Sequence, residues 1–154
     1  MTAMDEARAE PWVTALVAEA RVARLGTLGR DGRPHLVPVC FARLVSGDFV
    51  VAIDEKPKAT TELARLKNIR RDARVSLLID RYDDERWERL AWARFDGRAS
   101  VVADGRDAPE ALASLRAKYR QYASMDLESR PLITIVVERV AAWRWTTDEV
   151  REKR

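Results

Sequence analysis

At 154 residues, with 47% hydrophobic and 34% charged side chains, the chain fits one domain with a sizeable core. No apolar run approaches the ~18 residues of a spanning helix, residues 1–8 lack the basic-then-apolar order of a secretory signal, and the single cysteine, Cys40, excludes an intramolecular disulfide, so a cytoplasmic protein without a membrane partner is expected. The net charge of +3 is uneven: residues 56–74 hold seven basic residues against Glu62 and Asp72, a local +5 that leaves −2 on the rest and suggests an anionic ligand bound at one place, not a coat for nucleic acid.

Pro11 suits a first helical turn, and Trp12, Val13, Leu16, Val17 and Ala20 keep helical spacing, which predicts a helix over residues 10–20. The pattern then changes to period two. Residues 22–29 read as a strand, Asp31-Gly32 as a tight hairpin turn, and residues 34–44 as the returning strand. Pro38 has no N–H to give a ladder, which puts that strand at an edge or beside a bulge. Ser46-Gly47-Asp48 turns the chain into a third strand, residues 49–53. A short helix over residues 61–68 follows, with Leu63, Leu66 and Ile69 inward and Thr60 or Thr61 as its cap. Residues 75–80 form a fourth strand, and a charged loop over 82–89 leads to a long strand over 90–102. Asp107 is the expected cap of a helix reaching about Tyr122, with Leu112, Leu115, Tyr119 and Tyr122 on one stripe. Residues 132–145 form the last strand.

Hairpins dominate this order, so the sheet should be antiparallel and closed or nearly closed. The fold class is mainly β with α (α+β): a six-stranded antiparallel barrel with peripheral helices. The whole chain is read as a single domain, with residues 1–9 flexible and 146–154 a charged tail.

The segment Asp54-Glu55-Lys56-Pro57-Lys58-Ala59-Thr60-Thr61 leaves a strand and enters a helix. Two lysines and two threonine hydroxyls meet the unpaired N–H groups of a helix start, an arrangement that favours an anion such as phosphate. A solvated basic turn is the alternative reading of the same residues.

That segment, followed by Asn68-Ile69-Arg70-Arg71-Asp72-Ala73-Arg74-Val75-Ser76-Leu77-Leu78, resembles the pyridoxamine-phosphate-oxidase-like superfamily. Gly26-Thr27-Leu28 and Asp31-Gly32-Arg33-Pro34-His35-Leu36-Val37-Pro38-Val39 resemble its opening hairpin. Tyr82-Asp83-Asp84, the string ARFDGRAS over residues 93–100, and Lys118-Tyr119-Arg120-Gln121-Tyr122 resemble its small actinobacterial branch, the deazaflavin-dependent oxidoreductases. The resemblance implies a dimeric, FMN-binding-like split barrel with cofactor sites at the dimer interface. It implies a phosphate end on Lys56, Lys58, Thr60 and Thr61, with Lys58 the typical phosphate lysine. It implies a ring system along Val37, Pro38, Val39 and Cys40. Flavin-using members often carry arginine where Val37 stands and Ser-Arg-Lys where Lys56-Pro57-Lys58 stands. These departures favour coenzyme F420 over FMN and argue against oxidation of pyridoxamine phosphate.

Other candidates are weaker. His35, the one histidine, reads as a half-exposed strand residue, and Cys40 as a buried strand thiol. The five tryptophans read as core or dimer-interface residues. Arg71 and Arg74 read as solvated or as part of the basic patch. Asp83, Asp84 and Glu85 have no partner cluster, so no metal is expected. The cofactor would carry the chemistry, which leaves the catalytic residues unassigned. The expected function is hydride transfer between coenzyme F420 and a small molecule. An FMN oxidoreductase and a non-enzymatic F420 carrier are the alternatives, and a module for single-stranded nucleic acid is disfavoured by the local charge.

Overall fold

The structure, a computed structural model, describes residues 10–54 and 63–146. Its elements are α1 (Pro11–Glu19), β1 (Ala23–Leu28), β2 (Pro34–Val39), β3 (Phe41–Arg43), β4 (Phe49–Ala52), α2 (Ala64–Arg71), β5 (Arg74–Arg81), β6 (Ala91–Val102), α3 (Pro109–Lys118) and β7 (Leu132–Arg144). Short 3-10 turns stand at Trp87–Arg89, Gly105–Asp107 and Arg120–Ala123.

All the strands join one antiparallel sheet in the order β2-β1-β5-β6-β7-β4-β3. There are seven strands, not the expected six, because residues 34–44 do not form one strand. The chain breaks at Cys40: β2 pairs with β1, and β3 pairs with β4 at the opposite end of the sheet. A single residue thus links the two sheet edges, which forces the sheet to curl into a half-barrel. Cys40 is half-buried and outside any strand, which corrects the expectation of a buried strand thiol. Pro38 does stand on an edge strand, where its missing N–H costs no ladder bond.

The turn between β1 and β2 carries Gly32 at φ 80°, the left-handed region that glycine enters without a Cβ clash. Its ends are tied by the Gly29 N–H donating to the Arg33 carbonyl at 2.8 Å.

Alternating side chains build two cores. Inside the curl, Leu25, Leu77, Ile79, Phe41, Phe49 and Phe95 pack with Val13, Leu16 and Val17 of α1. Phe49 and Phe95 meet edge-on with centroids 4.7 Å apart. On the other side of β4, Val50 and Ala52 pack under Leu112 and Leu115 of α3 and the rings of Tyr119 and Tyr122. β4 is therefore buried on both faces.

Two expected details differ. Asp107 does not cap α3: Ala108 holds the cap position, and Asp104 instead accepts from the Arg106 N–H in the preceding 3-10 turn. The helix ends at Lys118, yet Tyr119 and Tyr122 stay buried on the predicted stripe because a 3-10 turn carries them. The tryptophans, read as core or dimer-interface residues, are partly buried except for the exposed Trp87; Trp12 packs against the main core, and Trp92 and Trp143 are cross-strand partners on β6 and β7. Among the described residues no helix is long and apolar enough to cross a membrane.

Candidate functional site

The period of β2 divides the expected ring-binding residues between two faces. Val37 packs against the main core and Val39 is buried, whereas Pro38 is exposed on the opposite side. Pro38, Val39 and Cys40, but not Val37, line a cavity of about 140 Å³. Asp54, at the exit of β4, and Arg65, in the first turn of α2, line its other side.

Asp54 is held from two directions. Its carboxylate accepts the Tyr122 hydroxyl at 2.6 Å, and its carbonyl accepts Arg130 Nη1 at 2.9 Å. Burial first, and then the hydrogen bond to Asp54, push the Tyr122 phenol far above its ordinary value, so it stays protonated and keeps donating. Arg65 is only 6% exposed, so its guanidinium is a charge presented within the fold. Behind it, Asn68 Nδ2 donates to Thr27 Oγ1 at 3.0 Å, and Arg71 donates to the Leu28 carbonyl at 2.8 Å and to Asn68 Oδ1 at 3.1 Å. α2 is thereby stapled to β1, and Arg71 makes that tie from an exposed position, as the solvated reading expected.

Lys56, Lys58, Thr60 and Thr61 fall outside the described residues. The described residues on either side of them, Asp54 and Arg65, line the same cavity. The helix itself starts at Ala64, with Leu63 in the cap position and no side-chain cap. The helix thus begins three residues later than expected, and the expected caps Thr60 and Thr61 lie outside the described residues.

His35 is half-buried opposite Thr27, with its Nδ1 buried and without a hydrogen-bond partner among the described residues. Asp83 accepts from the Glu85 and Arg86 N–H groups, and Asp84 accepts the Tyr82 hydroxyl, so these acids are engaged in shaping their loop. Arg74 forms a two-point contact with Asp72 through Nε at 3.0 Å and Nη2 at 2.7 Å. Hydrogen bonding from Arg74 holds the Asp72 carboxyl down at about 2.

A second, larger depression of about 780 Å³ lies on the outer face of the sheet, over Gly26, Leu36, Ser76, Arg94, Asp96 and Arg139. Asp96 accepts from Ser76 at 2.6 Å, Arg94 at 3.0 Å and Arg139 at 2.9 Å. Burial acts to raise its pKa, but these three donors together carry it below the ordinary carboxylate value. Sequence reasoning missed Asp54, Arg65, Tyr122 and Asp96 as site residues. For Asp54 and Arg65 the signal was their place at the two ends of the lysine-bearing segment. Tyr122 and Asp96 stand in strings that carry the family resemblance, but they join these sites only through strand register and long-range contact.

Comparison with known proteins agrees with this architecture. Residues 9–144 match the profile of the family described as Pyridoxamine 5'-phosphate oxidase. No curated protein matches the chain. Among solved structures, the conserved hypothetical protein Rv2991 from Mycobacterium tuberculosis is 25% identical, with a TM-score of 0.70 over 88% of this chain and 84% of that one. A heme binding protein from Mycobacterium smegmatis is 21% identical, with a TM-score of 0.67 over 93% of this chain and 54% of that one. HutZ, the heme storage protein from Vibrio cholerae, is 17% identical, with a TM-score of 0.64 over 88% of this chain and 93% of that one. The last two likenesses concern the fold alone. With the curled antiparallel sheet and a profile match spanning most of its length, the chain belongs to the pyridoxamine 5'-phosphate oxidase family.

Proposed function

We propose that this protein binds coenzyme F420, with FMN as the alternative cofactor, and transfers hydride between the deazaflavin and a small unsaturated molecule as a cytoplasmic homodimer. The observation that carries the reading is the cavity beside Cys40. It joins the strand expected to lie along the ring system to both described flanks of the lysine-bearing segment expected to hold the phosphate. At about 140 Å³ it takes only part of such a group: Pro38 and Val39 give an apolar wall, and Arg65, lining it together with the acid Asp54, a buried guanidinium suited to an anion.

The cofactor, when bound, supplies the hydride. The protein's own residues bind and orient. Arg65, with Lys56 and Lys58, neutralises phosphate charge. Asp54, clamped by Tyr122 and Arg130, fixes where the chain leaves β4 for the lysine segment. The β2 wall of the cavity, Pro38 and Val39, carries no cation. The outer face presents Leu36 at 70% and Val136 at 59% exposure, which supports a second copy of the chain as its cover.

Fluorescence titration of coenzyme F420 and of FMN into the parent and into Lys58→Ala, at two salt concentrations, tests the reading. Coenzyme F420 should bind more tightly than FMN. Lys58→Ala should weaken it by roughly ten- to a hundredfold, the worth of one charge-assisted contact, and should blunt its salt dependence. Tighter FMN binding overturns the cofactor assignment. Tight F420 binding with no turnover on a panel of enones and quinones leaves a carrier in place of an enzyme.

A further inference from the structure

A cleft of about 330 Å³ lies between α1 and α3 over the short edge strand β3, and it shares no lining residue with the cavity beside Cys40. Two helical faces meet across it. Thr14, Val17 and Ala18 of α1 follow i, i+3, i+4 spacing, as do Ser114, Ala117 and Lys118 of α3. Ala42 and Arg43 of β3 form the floor. The lining therefore combines small apolar side chains, two hydroxyls and two cations, with no acidic residue.

Lys118 is the unusual member. Its Nζ is buried, has no hydrogen-bond partner among the described residues, and rests 3.5 Å from the centroid of the Phe41 ring. A ring face attracts a cation but accepts none of the three directed hydrogen bonds an ammonium offers. Arg21 adds a second positive charge nearby, donating to the Lys118 carbonyl at 2.7 Å. Burial first, and then the Arg21 charge, push the Lys118 amine down to about 8. Arg43 is held at the floor by its Nε donating to the Gly47 carbonyl at 3.3 Å, with its guanidinium 5.4 Å from the Phe95 ring centroid.

We propose that this cleft is a second ligand site, taking a small molecule that bears one carboxylate on a short apolar tail. The tail packs on Val17, Ala18, Ala42 and Ala117. The carboxylate accepts from Lys118, whose flexible stem lets Nζ leave the ring for a better partner, and from the Thr14 and Ser114 hydroxyls. The field of Arg43 orients it. The volume lies at the small end of ligand pockets, which selects a compact organic acid over a polymer.

The probes are sodium hexanoate and 1-hexanol, titrated into the full chain and followed by backbone amide NMR. Hexanoate should shift the amides of Thr14, Ala42, Ser114 and Lys118 saturably and bind at least about tenfold more tightly than 1-hexanol, since only the acid makes a charge-assisted bond. Lys118→Met should remove that advantage. Ala117→Trp, at an exposed position, should fill the cleft and abolish binding while leaving distant amides unmoved. Equal binding of acid and alcohol, shifts confined to other surfaces, no saturable binding, or parent-like hexanoate affinity in Ala117→Trp would each overturn the site. F420 titration of the same variants keeps the two sites apart: loss of hexanoate binding with unchanged F420 binding is the result expected.

Discussion

The Tyr119 hydroxyl joins three parts of the chain through one oxygen. It accepts the Phe41 N–H at 3.1 Å and donates to the Arg21 carbonyl at 2.8 Å. These bonds fasten the end of α3 to the start of β3 and to the link between α1 and β1, next to the Cys40 crossing. Tyr119→Phe keeps the ring and strands a buried N–H, so it should cost about 1–3 kcal/mol, read as a lower urea midpoint with an unchanged slope. Lys118 acts in the opposite sense. In the unfolded chain its amine titrates near 10.5, and in the fold at about 8. Between those values the unfolded chain holds a proton that the folded chain has lost, so this group makes stability rise with pH across the window. Lys118→Met should raise the melting temperature at pH 7 and flatten the pH dependence between about 8 and 10.5; a variant less stable than the parent at pH 7 would contradict the burial argument. The sequence string around Lys118 resembles a family motif, but the fate of its ammonium was not legible, because Phe41 reaches it only across the fold.

At the scale of elements, period-two patterning and turn residues made most strands readable within a residue or two. Residues 22–29 became β1, and residues 75–80 became β5. The division of residues 34–44 was not readable. Turning at Cys40 requires no left-handed residue, and no non-glycine residue among those described has positive φ, so the turn residues that mark other corners are absent there. The start of α2 was misplaced because two threonines looked like caps while Leu63 took the cap position without a side-chain bond. The segment Val37–Cys40 was singled out whole in the sequence, whereas strand parity divides it between two faces and leaves Val37 off the cavity. A bulge was hidden too. Opposite Gly97 the register slips, Glu138 is the extra residue on β7, and Val137 and Val140 both turn inward three residues apart. Gly97 sits so close to β7 that a Cβ there would lie 2.1 Å from the Val136 carbonyl oxygen. Gly97→Ala must push the strands apart, at a cost of about 1–3 kcal/mol or more, seen as a fall in thermal midpoint. A neutral result would remove the bulge as a structural requirement.

For the whole molecule, the curled sheet sets the cavity beside Cys40 and the outer face on one framework: the edges meet at Cys40, and the broad side of β1, β5, β6 and β7 carries the Asp96 network. Light scattering at micromolar concentration should give twice the 17.6 kDa chain mass. Placing a charge at Val136 on the outer face should shift the molecule toward monomer, whereas a parent that is already a monomer would remove the proposed cover. The local excess of charge between residues 56 and 74 suggested an anion site from the sequence, but Lys56 and Lys58 lie outside the described residues, and phosphate contacts look alike on every ligand that carries one. The most direct test of the central claim is the absorption spectrum of the purified protein after separate incubation with coenzyme F420 and with FMN, followed by desalting. The account predicts that the deazaflavin band stays with the protein and the FMN band is largely lost. Retention of FMN in preference, or of neither compound, would contradict it.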